Sequence, residues 1–189
     1  TRYISVTGVQ TCALPISTLT AVEQLYVEGK GYDIAPNQTF RIGKRFYHRT
    51  DVHFDDAFFI NMSGTGVGVD GIALGTASLS LAAFRQNDNT ANPQSRLNAD
   101  LENIELYPGG KLRVTLAVTE AGGTGGENGS GVSIQHDQTN VLGGDNRLWL
   151  QYATGSAAVN MGFGNPTDDS SHKTWLLADT IQWVKGPLS

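Results

Sequence analysis

Between Lys111 and Ala121 the chain alternates without a break. Leu112, Val114, Leu116 and Val118 fall on one side, and Arg113, Thr115, Ala117 and Thr119 on the other. A period of two puts one set on each face of an extended strand, whereas a helical period would scatter both sets around the axis. The pattern returns at Arg147–Ala153, with Leu148, Leu150 and Tyr152 sharing a side. Further candidate strands are Thr20–Glu28, Phe40–His48, Phe58–Ser63, Ser78–Gln86, Arg96–Tyr107, Gly131–Gln138 and Lys173–Val184. Several run to about nine to eleven residues, beyond the ~5–6 of ordinary globular strands and close to a tilted membrane strand. No stretch keeps an i, i+3, i+4, i+7 apolar pattern with caps, so the chain is read as all-β.

The connections alternate too. Pro108-Gly109-Gly110 and Gly143-Gly144-Asp145-Asn146 are short turns. Asn87–Ser95, Ala121–Ser130 and Ser156–His172 are long polar loops. Short turns at one end and long loops at the other suit an outer-membrane barrel. A soluble β-sandwich also alternates, and periodicity alone leaves the two open. Composition narrows the field from another side. Charged residues make up 16% of the 189, and 23 are Gly; an average soluble domain has about 25% charged residues and about 7% Gly. The net charge of −5 and the absence of a Lys/Arg run argue against a nucleic-acid partner. A single Cys excludes a disulfide framework and a cysteine-based zinc site. No run approaches the ~18 apolar residues of a membrane helix, which excludes helical spans and says nothing against a barrel.

Residues 1–16 read Thr-Arg-Tyr-Ile-Ser-Val-Thr-Gly-Val-Gln-Thr-Cys-Ala-Leu-Pro-Ile. They lack the basic and apolar regions of a secretory signal. From Val6 to Ile16 the segment matches the conceptual translation of a common sequencing-library adapter. The expectation is that residues 1–17 are adapter-derived sequence and junction, with Cys12 among them. The genuine chain would then start near Ser17 and be a piece of a longer one.

Residues 43–69 carry the chemistry. The run Gly43-Lys44-Arg45-Phe46-Tyr47-His48-Arg49-Thr50-Asp51-Val52-His53 interleaves basic, acidic and aromatic side chains, and Ser63-Gly64-Thr65-Gly66-Val67-Gly68 follows it. Aromatic faces stack on the C–H face of a pyranose, and charged groups make strong hydrogen bonds to its hydroxyls. On these two motifs the chain resembles the maltoporin family of carbohydrate-specific outer-membrane porins. Leu79-Ser80-Leu81-Ala82-Ala83, the Pro108-Gly109-Gly110 turn and Gln151-Tyr152-Ala153-Thr154 extend the resemblance, which runs in order from about Val22 to Asp179.

The resemblance implies an antiparallel transmembrane β-barrel, of which residues 18–189 would supply about 8 to 9 of eighteen strands. It implies a homotrimer in outer-membrane lipid, an inward-folded constriction loop at about 49–62, and passive diffusion of oligosaccharides such as maltose and maltodextrins. It implies no enzyme activity and no cofactor. Sugar-binding or constriction positions fall on Arg49, Asp56, Phe58 and Asn61. Phe58 stands where the family has Tyr, Asn61 where it has Asp, and Glu23 where it has a track Arg. Phe163 is a loosely aligned candidate for an aromatic of the sugar path.

The same residues admit competing readings. A soluble extracellular carbohydrate-binding β-sandwich is the runner-up, and a glycoside hydrolase using Asp51 and Asp56 comes third. His48, Asp51, His53, Asp55 and Asp56 match no standard metal spacing. Gly64–Gly68 opens no helix, as a dinucleotide loop must. The sequons at Asn37 and Asn61 are read as chance patterns. Arg49 could also serve as an ion-pair partner within the loop.

Overall fold

Nine strands of nine to fourteen residues follow one another as antiparallel neighbours in one sheet. The computed structural model describes residues 3–6, 10–13, 20–52, 57–86 and 91–183. The long strands are β3 (Thr20–Tyr32), β4 (Ala35–Arg45), β7 (Gly64–Leu74), β8 (Ala77–Arg85), β9 (Gln94–Tyr107), β10 (Gly110–Ala121), β11 (Asn128–Val141), β12 (Gly144–Gly155) and β13 (Lys173–Gln182). Two short strands, β1 (Tyr3–Val6) and β2 (Gln10–Ala13), pair with β3. The remaining pair, β5 (Thr50–Val52) and β6 (Ala57–Ile60), stands apart as a small two-stranded sheet. Among the described residues there is no helix.

Two-residue turns join β3 to β4, β7 to β8, β9 to β10 and β11 to β12. Longer segments join the strands at the opposite end, as the alternation of connections predicts. One turn differs in place. It sits at Leu142-Gly143, with φ of 51° and 80°, and Gly144 already belongs to β12. Positive φ at both central residues is the geometry that matches strand twist in a tight hairpin.

The two faces of the sheet reverse the order of a soluble protein. On β9, Gln94, Arg96, Asn98 and Asp100 are buried, while Leu97 between them is 62% exposed. On β10, Thr115 and Thr119 are buried and Leu116 and Val118 exposed; Ser133, Gln135 and Gln151 continue the buried set on β11 and β12. Phe40, Val67, Val69, Leu81, Leu97 and Leu116 line one open apolar face. A sandwich would close a second sheet over that face, and none is present among the described residues. Lipid tails suit such a face, as a barrel exterior requires.

The apolar core lies on the other side, beneath the loops. Tyr47, Ile60, Met62, Ala82, Phe84, Ala117 and Met161 cluster there, with Phe163 against them. Sequence alternation does not reveal β7, because Gly64, Gly66 and Gly68 leave the first half of one face without side chains. β4 stops at Arg45, earlier than predicted, because His48 adopts a φ of 42° and the chain leaves the sheet.

Candidate functional site

The described parts of the segment between β4 and β7, residues 46–52 and 57–63, are bonded to the polar face of the sheet. The first anchor is Tyr47. The Tyr47 amide donates to Ser63 Oγ at 3.1 Å, and the Tyr47 hydroxyl donates to Asp70 Oδ1 at 2.5 Å. Arg41 lies over the ring, Cζ 3.2 Å from its centroid, and also bonds Asp70 Oδ2 at 3.2 Å. This stack needs Gly68, since a Cβ there would meet Arg41 Nη2 at 2.3 Å.

Further anchors come from strands distant in sequence. Arg96 is almost fully buried, and its Nη2 donates to the carbonyls of Met62 at 2.8 Å and Ser63 at 3.2 Å. Its Cζ sits 4.8 Å from the Phe84 ring and 4.3 Å from the Phe163 ring. Gln151 Nε2 donates to the Phe59 carbonyl at 2.6 Å, and Phe59 stacks on Trp149 with centroids 4.4 Å apart. The Asn61 amide donates to the Asn160 carbonyl at 2.9 Å, joining this loop to the 156–172 loop. The Arg96 bonds come from a charged group, and hydrogen bonds to charged groups contribute about 1.5–3 kcal/mol each, so residues 59–63 are firmly anchored to the sheet.

A third anchor is ionic. Arg113 donates to both oxygens of Asp100, at 2.9 and 2.7 Å, and to Thr50 Oγ1 at 2.9 Å. His48 Nδ1 bonds Asp100 and lies 3.3 Å from Glu102. Burial of the imidazole disfavours its charge, but the hydrogen bonds to Asp100 and Glu102 outweigh it and raise the pKa above its ordinary 6.5. His48, Asp100 and Glu102 have the right types for a cation. The guanidinium of Arg113 reaches the same carboxylates, at 2.7 Å from Asp100 and 3.3 Å from Glu102, and supplies that charge itself.

Of the residues singled out from sequence, Arg49 is the best placed. Its Nε donates to Ser63 Oγ at 3.0 Å. Its guanidinium lies between two rings, 3.5 Å from the Phe46 centroid and 4.8 Å from that of Phe58. Among the described residues no carboxylate pairs with it directly, and its described contacts are the two rings and Ser63. Burial lowers its pKa and attraction to Glu23 opposes that, and a guanidinium stays charged regardless. Phe58 is partly exposed. Asn61 Oδ1 accepts from the Ser63 amide at 3.3 Å, which shapes the loop's return to β7. Phe163 packs against Arg96 and the core. Asp56, with His53 and Asp55, lies outside the described residues.

Arg49 and Thr50 also form one wall of a cavity of about 910 Å³ extending toward the short-turn end. Its other walls carry Arg113, Asp137, Arg147 and Trp183. None of these four is singled out by the sequence. Arg113 and Arg147 leave only a trace there, as charges on the polar sides of alternating strands.

Comparisons with known proteins agree with this geometry. The family model described as LamB porin matches residues 7–187. That match begins inside the segment that resembles an adapter. A maltoporin of Photobacterium profundum is 31% identical over 187 residues, covering 88% of this chain and 44% of that protein. A maltoporin of Vibrio cholerae serotype O1, El Tor Inaba, is 35% identical over 97 residues, covering 51% of this chain and 24% of that protein. The chain thus spans less than half the length of these relatives. A match along nearly its whole length, on a sheet with an apolar outer and a polar inner face, means that the chain belongs to the LamB porin family of bacterial outer-membrane proteins.

Proposed function

We propose that the full-length protein is a passive diffusion channel for saccharides, maltose and maltodextrins among them, and that it assembles as a homotrimer in outer-membrane lipid. The observation that carries this reading is Arg49. It is a guanidinium stacked against Phe46 and Phe58 on a loop anchored to the polar face of the sheet, at the wall of a cavity of about 910 Å³. A cation stacked beside a partly exposed ring offers a sugar both a hydroxyl partner and an apolar contact. Sites of this kind replace the sugar's hydration shell weakly enough to release it onward, and no covalent step is involved.

In this reading residues 18–189 are a barrel segment and the 49–62 loop is its constriction. Arg49, Asp56, Phe58 and Asn61 line the sugar path. Phe58 keeps the ring of the family's Tyr without the hydroxyl, and Asn61 keeps an acceptor without the charge. Glu23 reverses a track charge and shifts the preference among sugars. Residues 1–17 are adapter-derived, and β1 and β2 pair with β3 because an open strand edge accepts any extended neighbour. The test is single-channel recording on the full-length trimer. Arg49→Ala is expected to raise the sugar concentration that half-blocks the current by about tenfold. An unchanged block would remove Arg49 from the path.

A further inference from the structure

A row of polar side chains crosses the apolar face of the sheet at its long-loop end. The register pairs Lys44 on β4 with Thr65 on β7, Thr65 with Arg85 on β8, Arg85 with Ser95 on β9, and Ser95 with Glu120 on β10. Lys44, Arg85 and Glu120 stand two or four residues from the exposed Ile42, Leu81 and Val118 of their own strands. Alternate residues of a strand share a face, so the row lies on the outer wall and not in the lumen. Arg85 is exposed, and its Nη1 donates to Ser95 Oγ at 2.9 Å, which turns the guanidinium along the row. Among the described residues no carboxylate pairs with Arg85. Glu120 stands two strand spacings from it, about 10 Å.

Below this row, toward the short turns, the wall is hollow. The next two rows on the same face are Val67, Ala83 and Leu97, then Val69, Leu81 and Ala99. Ala83 and Ala99 are diagonal neighbours that carry only methyl groups, and a groove of about 640 Å³ opens over them, walled by side chains of β4 and β10. Its two rows reach about 14 Å along the strands from Arg85. At a strand tilt of ~40° that is about 10 Å of depth, within one leaflet of a ~30 Å hydrocarbon core.

We infer that this wall binds one phosphorylated lipid of the loop-side leaflet, with its phosphate on Arg85 and the hydroxyls of Thr65 and Ser95 and one acyl chain in the groove. A guanidinium fork matches phosphate oxygens, and hydroxyls beside it complete their hydrogen bonds. The groove offers a chain apolar contact and nothing polar to a sugar. A second copy of the protein seated here would take Arg85 out of water and would have to bring a carboxylate to that height. A phosphorylated lipid carries its charge at the level of the row and its chains at the level of the groove. The inference concerns the outer wall and is independent of which solute passes through the lumen.

The experiment equilibrates the full-length protein with phosphatidylcholine vesicles that hold a minor share of dipalmitoyl phosphatidic acid or of the matching diacylglycerol. The protein is extracted in mild detergent and its retained lipid counted by native mass spectrometry. Phosphatidic acid should be retained about fivefold over diacylglycerol, and excess inorganic phosphate should not displace it. Arg85→Gln should abolish that preference with conductance unchanged. Ala99→Phe, which fills the groove from its floor, should lower retention of phosphatidic acid about fivefold with the assembly intact. If Ala99→Phe does not insert, Ala83→Leu makes the same test with a smaller filling. Equal retention of the two lipids by the wild type, or an undiminished preference in Arg85→Gln, overturns the headgroup site. Displacement by inorganic phosphate, or full retention with the groove filled, overturns the acyl groove. Dissociation into monomers on filling the groove assigns this face to a neighbouring copy and overturns the lipid.

Discussion

Two glycines on β7 show how much of this site is decided by space. A Cβ on Gly68 would meet the far end of the Arg41 side chain, which can swing away at the cost of its stack on Tyr47. A Cβ on Gly66 would lie 1.9 Å from the Ala83 carbonyl oxygen and 2.8 Å from Phe84 Cα. Those atoms are the backbone of the neighbouring strand and cannot yield without breaking the β7–β8 pairing. Gly66→Ala should therefore destabilise the full-length protein by about 3 kcal/mol and Gly68→Ala by about 1 kcal/mol, the upper and lower ends of ordinary overpacking. Urea titration of the folded trimer measures both. Equal costs, or the reverse order, would show that β7 is not packed as described. Arg49 shows the complementary case, in which chemistry rather than volume selects the residue: Lys could keep the charge but not lie flat between Phe46 and Phe58.

At the scale of the element, the 46–63 loop is held at one end by a titratable contact. His48 faces Asp100 and Glu102 on β9 and Arg113 on β10, with Tyr47 and Arg49 beside it in the chain. Its pKa is raised in the folded protein, so the tether favours the charged imidazole. The stabilisation is therefore complete below the ordinary value of about 6.5 and is lost as pH rises through the higher folded value. Open-channel current noise should grow over that alkaline window as the loop loosens, and His48→Gln should flatten the dependence. A His48→Gln channel with the wild-type pH profile would sink the tether. Sequence alone cannot reveal this contact, because its partners lie 52 and 65 residues away. β10 is legible because Arg113, Thr115 and Thr119 differ so plainly from Leu112, Val114, Leu116 and Val118. β7 is not, since its glycines carry no polarity to alternate. The pairing of Asp137 with Arg147 is hidden for a subtler reason. The Gly143-Gly144 pair suggests a turn centred later than Leu142-Gly143, and the register of that hairpin decides which side chains face each other.

The whole molecule turns on which face of the sheet meets water. Leu116 sits midway along β10, is 47% exposed, and has Ala99 and Val132 as its cross-strand neighbours. Leu106 lies near the short-turn rim on β9 and is 53% exposed. By exposure alone the two are equivalent, and on a soluble protein an Arg at either would change stability by about 0.5 kcal/mol or less. In a barrel they differ, because one stands at the middle of the hydrocarbon and the other at its edge. Leu116→Arg should cost about 2–4 kcal/mol and Leu106→Arg about 0–1 kcal/mol, the depth dependence of a charge on a lipid-facing strand. Denaturant titration of the full-length protein folded into phospholipid vesicles measures both values. A small, equal cost at the two positions would mean that the apolar face meets water, and the barrel reading would fall with it. A large cost at Leu116 alone would carry the polar face with it, since successive residues of a strand point to opposite sides. Thr115 and Arg113 would then have to line the lumen, and with them the loop bonded to that face.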